Sequence, residues 1–234
     1  MKIRPILYIV FILLLFGSCS STIPVIIYDE IQIEEGQIAL KEMMRETSSN
    51  SIEKIQSSLP AISYTTLFTQ TQKIQFEQEK NLPGVQKRID VFIQQLKEEL
   101  DTILNTLLIE KDLWIEELEV ESPYTYIIGR KDSITTLFKD ELSLSLETYL
   151  QEELNSKKQL ITTYNKFLTI INAYIITENE LKTDDKKEVL GNWDNTALVS
   201  FIVSELIKEM AIQETIIRYL APTYDSPYIR LFSK

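Results

Sequence analysis

The chain contains no histidine, and its only cysteine is Cys19. Those two absences exclude a disulfide within the body, Cys-His zinc sites, Cys-His nucleophilic pairs and the Ser-His-Asp triad. A Walker A loop and a dinucleotide fingerprint are missing too. Chain breakers are scarce, with 5 Gly and 7 Pro in 234 residues, which favours long helices over many short strands. Positive charge is in deficit: 24 Lys and Arg stand against 35 Asp and Glu, a net charge of −11. So acidic a surface repels phosphate backbones, which excludes nucleic acid as a partner. It also argues against docking on anionic lipid through a basic patch. The 44% hydrophobic and 25% charged residues fit a globular body.

Met1-Lys2-Ile3-Arg4 supplies a positive start, and an apolar run follows from Ile6 to Phe16. A membrane-spanning helix needs roughly 20 apolar residues, so this run suits the core of a cleaved signal peptide instead. Phe16-Gly17-Ser18-Cys19 comes next. It resembles the lipobox of bacterial lipoproteins, in which small residues precede the modified cysteine, with Phe16 where leucine is usual. The resemblance implies diacylglycerol on the Cys19 thiol, cleavage of residues 1–18, and a membrane anchor through acylated Cys19. Acyl chains contribute ~0.8 kcal/mol per buried CH₂. Ser20 after the cysteine resembles the pattern that sends lipoproteins to the outer membrane of Gram-negative cells. The alternative is an ordinary secretory signal followed by an incidental cysteine.

Residues 19–33 read as a tether and extended lead-in, and 34–234 as one helical domain. A helix is expected from about 35 to 59 on Ile38, Leu40, Met43, Met44, Ile52, Ile55 and Leu59, with the Ser/Thr/Asn cluster at 47–51 breaking or recapping it. In 60–82, Leu67, Phe68, Ile74 and Phe76 are the expected packing residues. The strongest signal starts at Pro83, where Val85, Ile89, Phe92, Leu96, Leu100, Ile103, Leu104 and Leu107 recur at three- and four-residue steps. Ser122-Pro123 opens a short helix, with Gly129 as a left-handed cap. Asp132 or Ser133 then caps a helix that runs through Leu154, and Asn155-Ser156 interrupts the register. Another stripe, from Leu160 to Ile175, includes Tyr174. Residues 177–192 read as a solvated loop. Asp194 or Asn195 caps a helix that Pro222 stops, and Ser226-Pro227 opens a final turn. The fold class these patterns point to is all-α, a multi-helix bundle of long amphipathic helices.

Three segments resemble the domain-of-unknown-function family 4197. Ala39 to Met44, followed by Asn50-Ser51-Ile52, is similar to its opening "GLKEAL…NAV". Gly129, Thr135 and Phe138-Lys139 fall at the spacing of "ILxGxxxAxTxYFK". Gln213 to Arg218 with Pro222 is similar to "EExxIRxxP", and Leu231-Phe232 to a closing "VF". Leu137 replaces the tyrosine, and the "NRAAE" segment has no counterpart around 98–106. The resemblance implies a helical, exported protein and no particular activity.

Glu214 and Arg218 are one helical turn apart. They form either a polar site near a cleft or a structural i,i+4 ion pair stabilising by roughly 0.2–0.5 kcal/mol. Glu98, Glu99 and Asp101, Glu116, Glu117 and Glu119, and Asp184-Asp185 would supply paired carboxylates or a calcium site only in a built cleft or loop; as they stand they read as solvated acidic faces. Tyr124, Tyr126, Tyr149, Tyr164 and Tyr174 line either a pocket or the core. No metal or cofactor is implied. The expected function is a lipid-anchored, non-catalytic interaction or structural module of the bacterial envelope, with an envelope protein as partner. The alternatives are a carrier for an apolar ligand or lipid between its helices, and a carboxylate-based hydrolase.

Overall fold

A computed structural model describes residues 30–59 and 70–233. The expected leader, Cys19, the tether up to residue 29 and the packing residues Leu67 and Phe68 lie outside the described residues. Eight α-helices follow in order: α1 (Glu30–Ser58), α2 (Gln70–Glu79), α3 (Val85–Glu117), α4 (Pro123–Ile127), α5 (Ser133–Ser156), α6 (Lys158–Glu180), α7 (Thr196–Leu220) and α8 (Pro227–Arg230), with a 3-10 turn at Ala221–Thr223. Among the described residues there is no strand, and the chain is an all-α bundle. No described helix is long and apolar enough to cross a membrane.

The longest helix is α3, with 33 residues and a length of about 50 Å at 1.5 Å per residue. Val85, Ile89, Phe92, Leu96, Leu100, Ile103, Leu104 and Leu107 are all buried along it, so the expected stripe is the core face. Three helices lie against α3. Along α1, Gln37 bonds to the Val120 carbonyl, Arg45 pairs with Glu116, and Gln56 reaches Asp101 (3.2 Å), so the two helices run antiparallel. On α5, the Tyr149 ring meets Trp114 at 5.8 Å and Lys157 faces Glu99 at 3.5 Å. On α6, Tyr164 and Phe167 pack on Phe92 at 5.5 and 5.3 Å. Helix α7 then packs along α5 in the opposite direction, with Asn195 beside Gln151 and Glu214 beside Ile134. Ile33–Lys234 form one compact unit.

Several local expectations change. Helix α1 begins at Glu30 and does not break at 47–51. Thr47, Ser48 and Ser51 are fully buried, and their hydroxyls donate back to the Met43, Arg45 and Thr47 carbonyls (2.7, 3.1 and 2.6 Å). The helix keeps its own ladder and satisfies the hydroxyls internally. Ile74 is 57% exposed, so Phe76 alone of the described expected residues carries the packing of α2. Tyr174 lies at the edge of its stripe, partly exposed.

Gly129 is not a left-handed cap; among the described glycines only Gly84 has a positive φ, at 79°. At Gly129 the demand is close approach. A Cβ there would lie 2.6 Å from the Thr125 carbonyl oxygen and 3.1 Å from the Ser133 Cβ. The loop at 181–190 is solvated but anchored. Asn179 exchanges two hydrogen bonds with the Lys187 backbone (2.7 and 2.8 Å), and Asn172 does the same with Leu190 (3.0 and 2.8 Å).

Candidate functional site

The turn between α4 and α5 leaves two sets of backbone groups without partners: the last carbonyls of α4 and the first amides of α5. Asp132, at the N-cap position of α5, makes no side-chain capping bond. The cap comes instead from a residue 80 positions away. Glu214 on α7 is fully buried, and its Oε1 accepts from the Ile134 amide (3.1 Å). Its Oε2 accepts from the Thr135 amide (2.8 Å) and the Thr135 hydroxyl (2.9 Å). A carboxylate at a helix N-terminus also meets the positive end of the helix dipole.

Arg218, one turn further along α7, completes the arrangement. Its Nε and Nη2 donate to Glu214 Oε1 at 3.0 and 2.9 Å. Nη1 donates to the Ile127 carbonyl (2.8 Å), and Nη2 to the Tyr126 carbonyl (2.9 Å) and Ser133 Oγ (2.8 Å). The guanidinium therefore holds the end of α4 while the carboxylate holds the start of α5. Phe232 closes the cluster, with the Arg218 Cζ 4.9 Å from its ring centroid. A desolvated cation over an aromatic face is favourable by about 2 kcal/mol. The Arg218 side chain is 9% exposed.

Spacing alone pairs Glu214 with Arg218 on one helix face; the fold buries that pair. In the fold the pair is a buried clasp. Both carboxylate oxygens of Glu214 are occupied by donors. Ser133 and Thr135 belong to the clasp and had no signal of their own as site residues. What could have exposed them is the position of Thr135, three residues into a helix whose own cap residue is idle.

Several of the acidic residues that the sequence singles out are engaged one by one. Glu116 pairs with Arg45, Glu99 with Lys157, and Asp101 accepts from Gln56. Asp184 and Asp185 are exposed in the loop, with Asp185 at φ 55°. No group of three His, Cys, Asp or Glu among the described residues could hold a metal ion.

Two charged groups that the sequence did not mark are buried. Lys111, 1% exposed, donates to Asp112 at 2.6 Å. Glu79, 5% exposed, pairs with Lys187, which also donates to Glu178 at 2.7 Å. Glu178 first and Glu79 second raise the Lys187 ammonium above its ordinary value. Glu178 is lowered in turn, by Lys182 first and then Lys187. This cluster ties α2 to the 181–190 loop.

Of the tyrosines that the sequence singles out, Tyr164 belongs to the core and Tyr174 is partly exposed. Tyr164 packs edge-on against Phe167 at 4.9 Å and Trp193 at 5.3 Å, and its hydroxyl donates to the Gly191 carbonyl at 3.2 Å. Burial, then the nearby Asp194 charge, pushes the Tyr164 phenol up to about 12.

No family model matches the chain, and no curated protein or solved structure matches it significantly.

Proposed function

We propose that this protein is a lipid-anchored, non-catalytic interaction module of the bacterial envelope, and a divergent member of the domain-of-unknown-function family 4197. The observation that carries the interaction reading is the outward face of α7. That helix buries Met210, Glu214 and Ile217 on one side, and leaves Phe201, Ile212, Ile216 and Tyr219 exposed on the other, Tyr219 by 84%. Phe201 and Tyr219 are five turns apart, on one line along the helix. Positions 201, 205, 208, 212, 215 and 219 alternate steps of four and three, the spacing of a coiled-coil seam. Glu205 and Lys208, paired with each other within the helix at 3.3 Å, interrupt the apolar positions in its middle. The partner is therefore an amphipathic helix of another envelope protein.

The family reading is supported by where its segments meet. Gly129 and Thr135 come from one resembling segment, Glu214 and Arg218 from another, Phe232 from the last. All five converge on the clasp, where each has a specific steric or hydrogen-bonding task. The non-catalytic reading is supported by the saturation of Glu214. The membrane anchor rests on the lipobox resemblance at Cys19.

A photo-crosslinking residue at Tyr219 in the full chain, expressed in native membranes, tests the partner. A discrete adduct with one envelope protein is expected, lost when Ile212→Lys is added and absent when the probe sits at Leu144 on α5. Equal labelling at positions 144 and 219 would refute the interaction face. In the same cells, labelled fatty acid should enter the wild type and not Cys19→Ser.

A further inference from the structure

The net negative charge conceals one local reversal. Between the first turns of α3 and the start of α6 lies an open hollow of about 480 Å³, lined among the described residues by Lys87, Arg88, Gln95, Gln159, Thr163 and Lys166, with Gly84 and Val91 at its edges. None of these is a carboxylate. The ion pairs among the described residues engage Lys80, Lys111, Lys157, Lys182, Lys187, Lys208, Arg45, Arg130 and Arg218, but not Lys87, Arg88 or Lys166. Three cations from two helices thus line one hollow whose own lining, among the described residues, holds no carboxylate. Asp90 and Glu98 line an adjoining hollow that shares Lys87, Val91 and Gln95 with this one.

The floor of the hollow is also built to donate. The hydroxyl of buried Thr163 lies 2.7 Å from the Gln95 carboxamide oxygen and 2.9 Å from the Gln159 carbonyl, and its one proton is shared between them. The Gln95 carboxamide nitrogen is left without a described partner. Lysine and arginine have donors and no acceptors, so the groove offers hydrogen-bond donors around concentrated positive charge. A volume of this order falls in the range of small-molecule sites.

We infer that this groove binds a phosphate-bearing ligand, with Lys87, Arg88 and Lys166 as the neutralising residues and Gln95 as a neutral donor. A phosphomonoester dianion matches the three converging charges better than a single carboxylate, and the Arg88 fork suits two of its oxygens at once. The inference is independent of the interaction face on α7, which lies on other residues. The phosphate could belong to a soluble phosphoester or to an anionic lipid headgroup, and both present the same chemistry.

The test uses the full chain in a neutral detergent. Isothermal titration with inorganic phosphate and with glycerol phosphate probes the soluble source. Titration with micelles carrying phosphatidylglycerol, against phosphatidylcholine, probes the headgroup. The variant Lys87→Gln/Arg88→Gln/Lys166→Gln is compared with Lys54→Gln/Lys139→Gln/Lys186→Gln, which removes the same charge elsewhere. Saturable binding of at least one phosphate probe is expected, weakened at least tenfold in the groove variant and unchanged in the control. Saturation by soluble phosphate assigns the first source, and saturation by phosphatidylglycerol alone assigns the second. Equal weakening in both variants, or no saturable binding by any probe, would overturn the inference. The altered side chains are all exposed, and an unchanged melting temperature of the groove variant confirms that the comparison reads binding.

Discussion

Replacing Glu214 with glutamine separates a buried clasp from a surface ion pair by about an order of magnitude in stability. The substitution preserves shape and removes the charge. A carboxamide has one oxygen and one NH₂ group, whereas the site presents donors at both ends: the Ile134 amide and Arg218 at one, the Thr135 amide and hydroxyl at the other. Whichever way the amide turns, a donor faces a donor, and Arg218 is left buried with no counter-charge. Breaking a buried ion pair from one side costs about 3–5 kcal/mol. Arg218 keeps its bonds to the Tyr126 and Ile127 carbonyls, so the lower end of that range applies. For a domain of this size each kcal/mol lowers the melting temperature by about 2–4 °C, which gives a fall of roughly 6–12 °C. An exposed pair one helical turn apart would lose only about 0.2–0.5 kcal/mol, and Glu205→Gln, which breaks the exposed i,i+3 pair with Lys208, serves as that control. Urea unfolding followed by circular dichroism reads the loss directly. The double variant Glu214→Gln/Arg218→Met should lose less than the sum of the two single changes, because each removes the other's partner. A loss below about 0.5 kcal/mol for Glu214→Gln would refute the clasp as a determinant of stability.

Two glycines should respond differently to alanine. Gly129→Ala introduces a methyl 2.6 Å from the Thr125 carbonyl oxygen beside the clasp, and overpacking of this kind costs about 1–3 kcal/mol. Gly84→Ala meets nothing within 4 Å but holds φ 79°, so its cost of about 1 kcal/mol is backbone strain alone. Thermal melts of the two variants should therefore rank Gly129→Ala at or below Gly84→Ala, and the reverse order would count against the close-approach account. Alkaline titration followed by phenolate absorbance checks Tyr164. Its folded value of about 12 lies above the ordinary 10.0, so its contribution to stability is complete below pH 10 and disappears as pH rises toward 12. Tyr164→Phe should flatten the alkaline limb of the stability profile over that window, and an unchanged limb would contradict the burial argument.

Most of the helices were legible in the sequence because apolar residues at three- and four-residue steps can be buried in only one regular way. The stripe from Val85 to Leu107 defines the core face of α3 without any knowledge of its neighbours. Pro222 and Ser226-Pro227 mark the last boundaries for equally local reasons, fixed φ and a capping hydroxyl that accepts from Tyr228 and Ile229. Other features were out of reach because they depend on contacts between distant residues. The uninterrupted α1 follows from tertiary burial of Thr47, Ser48 and Ser51, whereas local propensity favours a break. Gly129 is needed because a carbonyl and a serine come within a methyl's radius, which handedness preferences do not encode.

The clasp shows the same division at the candidate site. Spacing alone puts Glu214 and Arg218 on one face of a helix and makes them partners. Spacing cannot say whether water surrounds them. Only the antiparallel packing of α7 on α5 brings the open amides of Ile134 and Thr135 to Glu214, and only the turn at Gly129 presents the Tyr126 and Ile127 carbonyls to Arg218. Likewise, the sequence determines a net charge of −11, but the groove where Lys87, Arg88 and Lys166 face one hollow exists only because α3 and α6 pack side by side. Periodicity and total charge are properties of the chain. Desolvation and local potential depend on what surrounds each group, and that is decided by the packing of the helices.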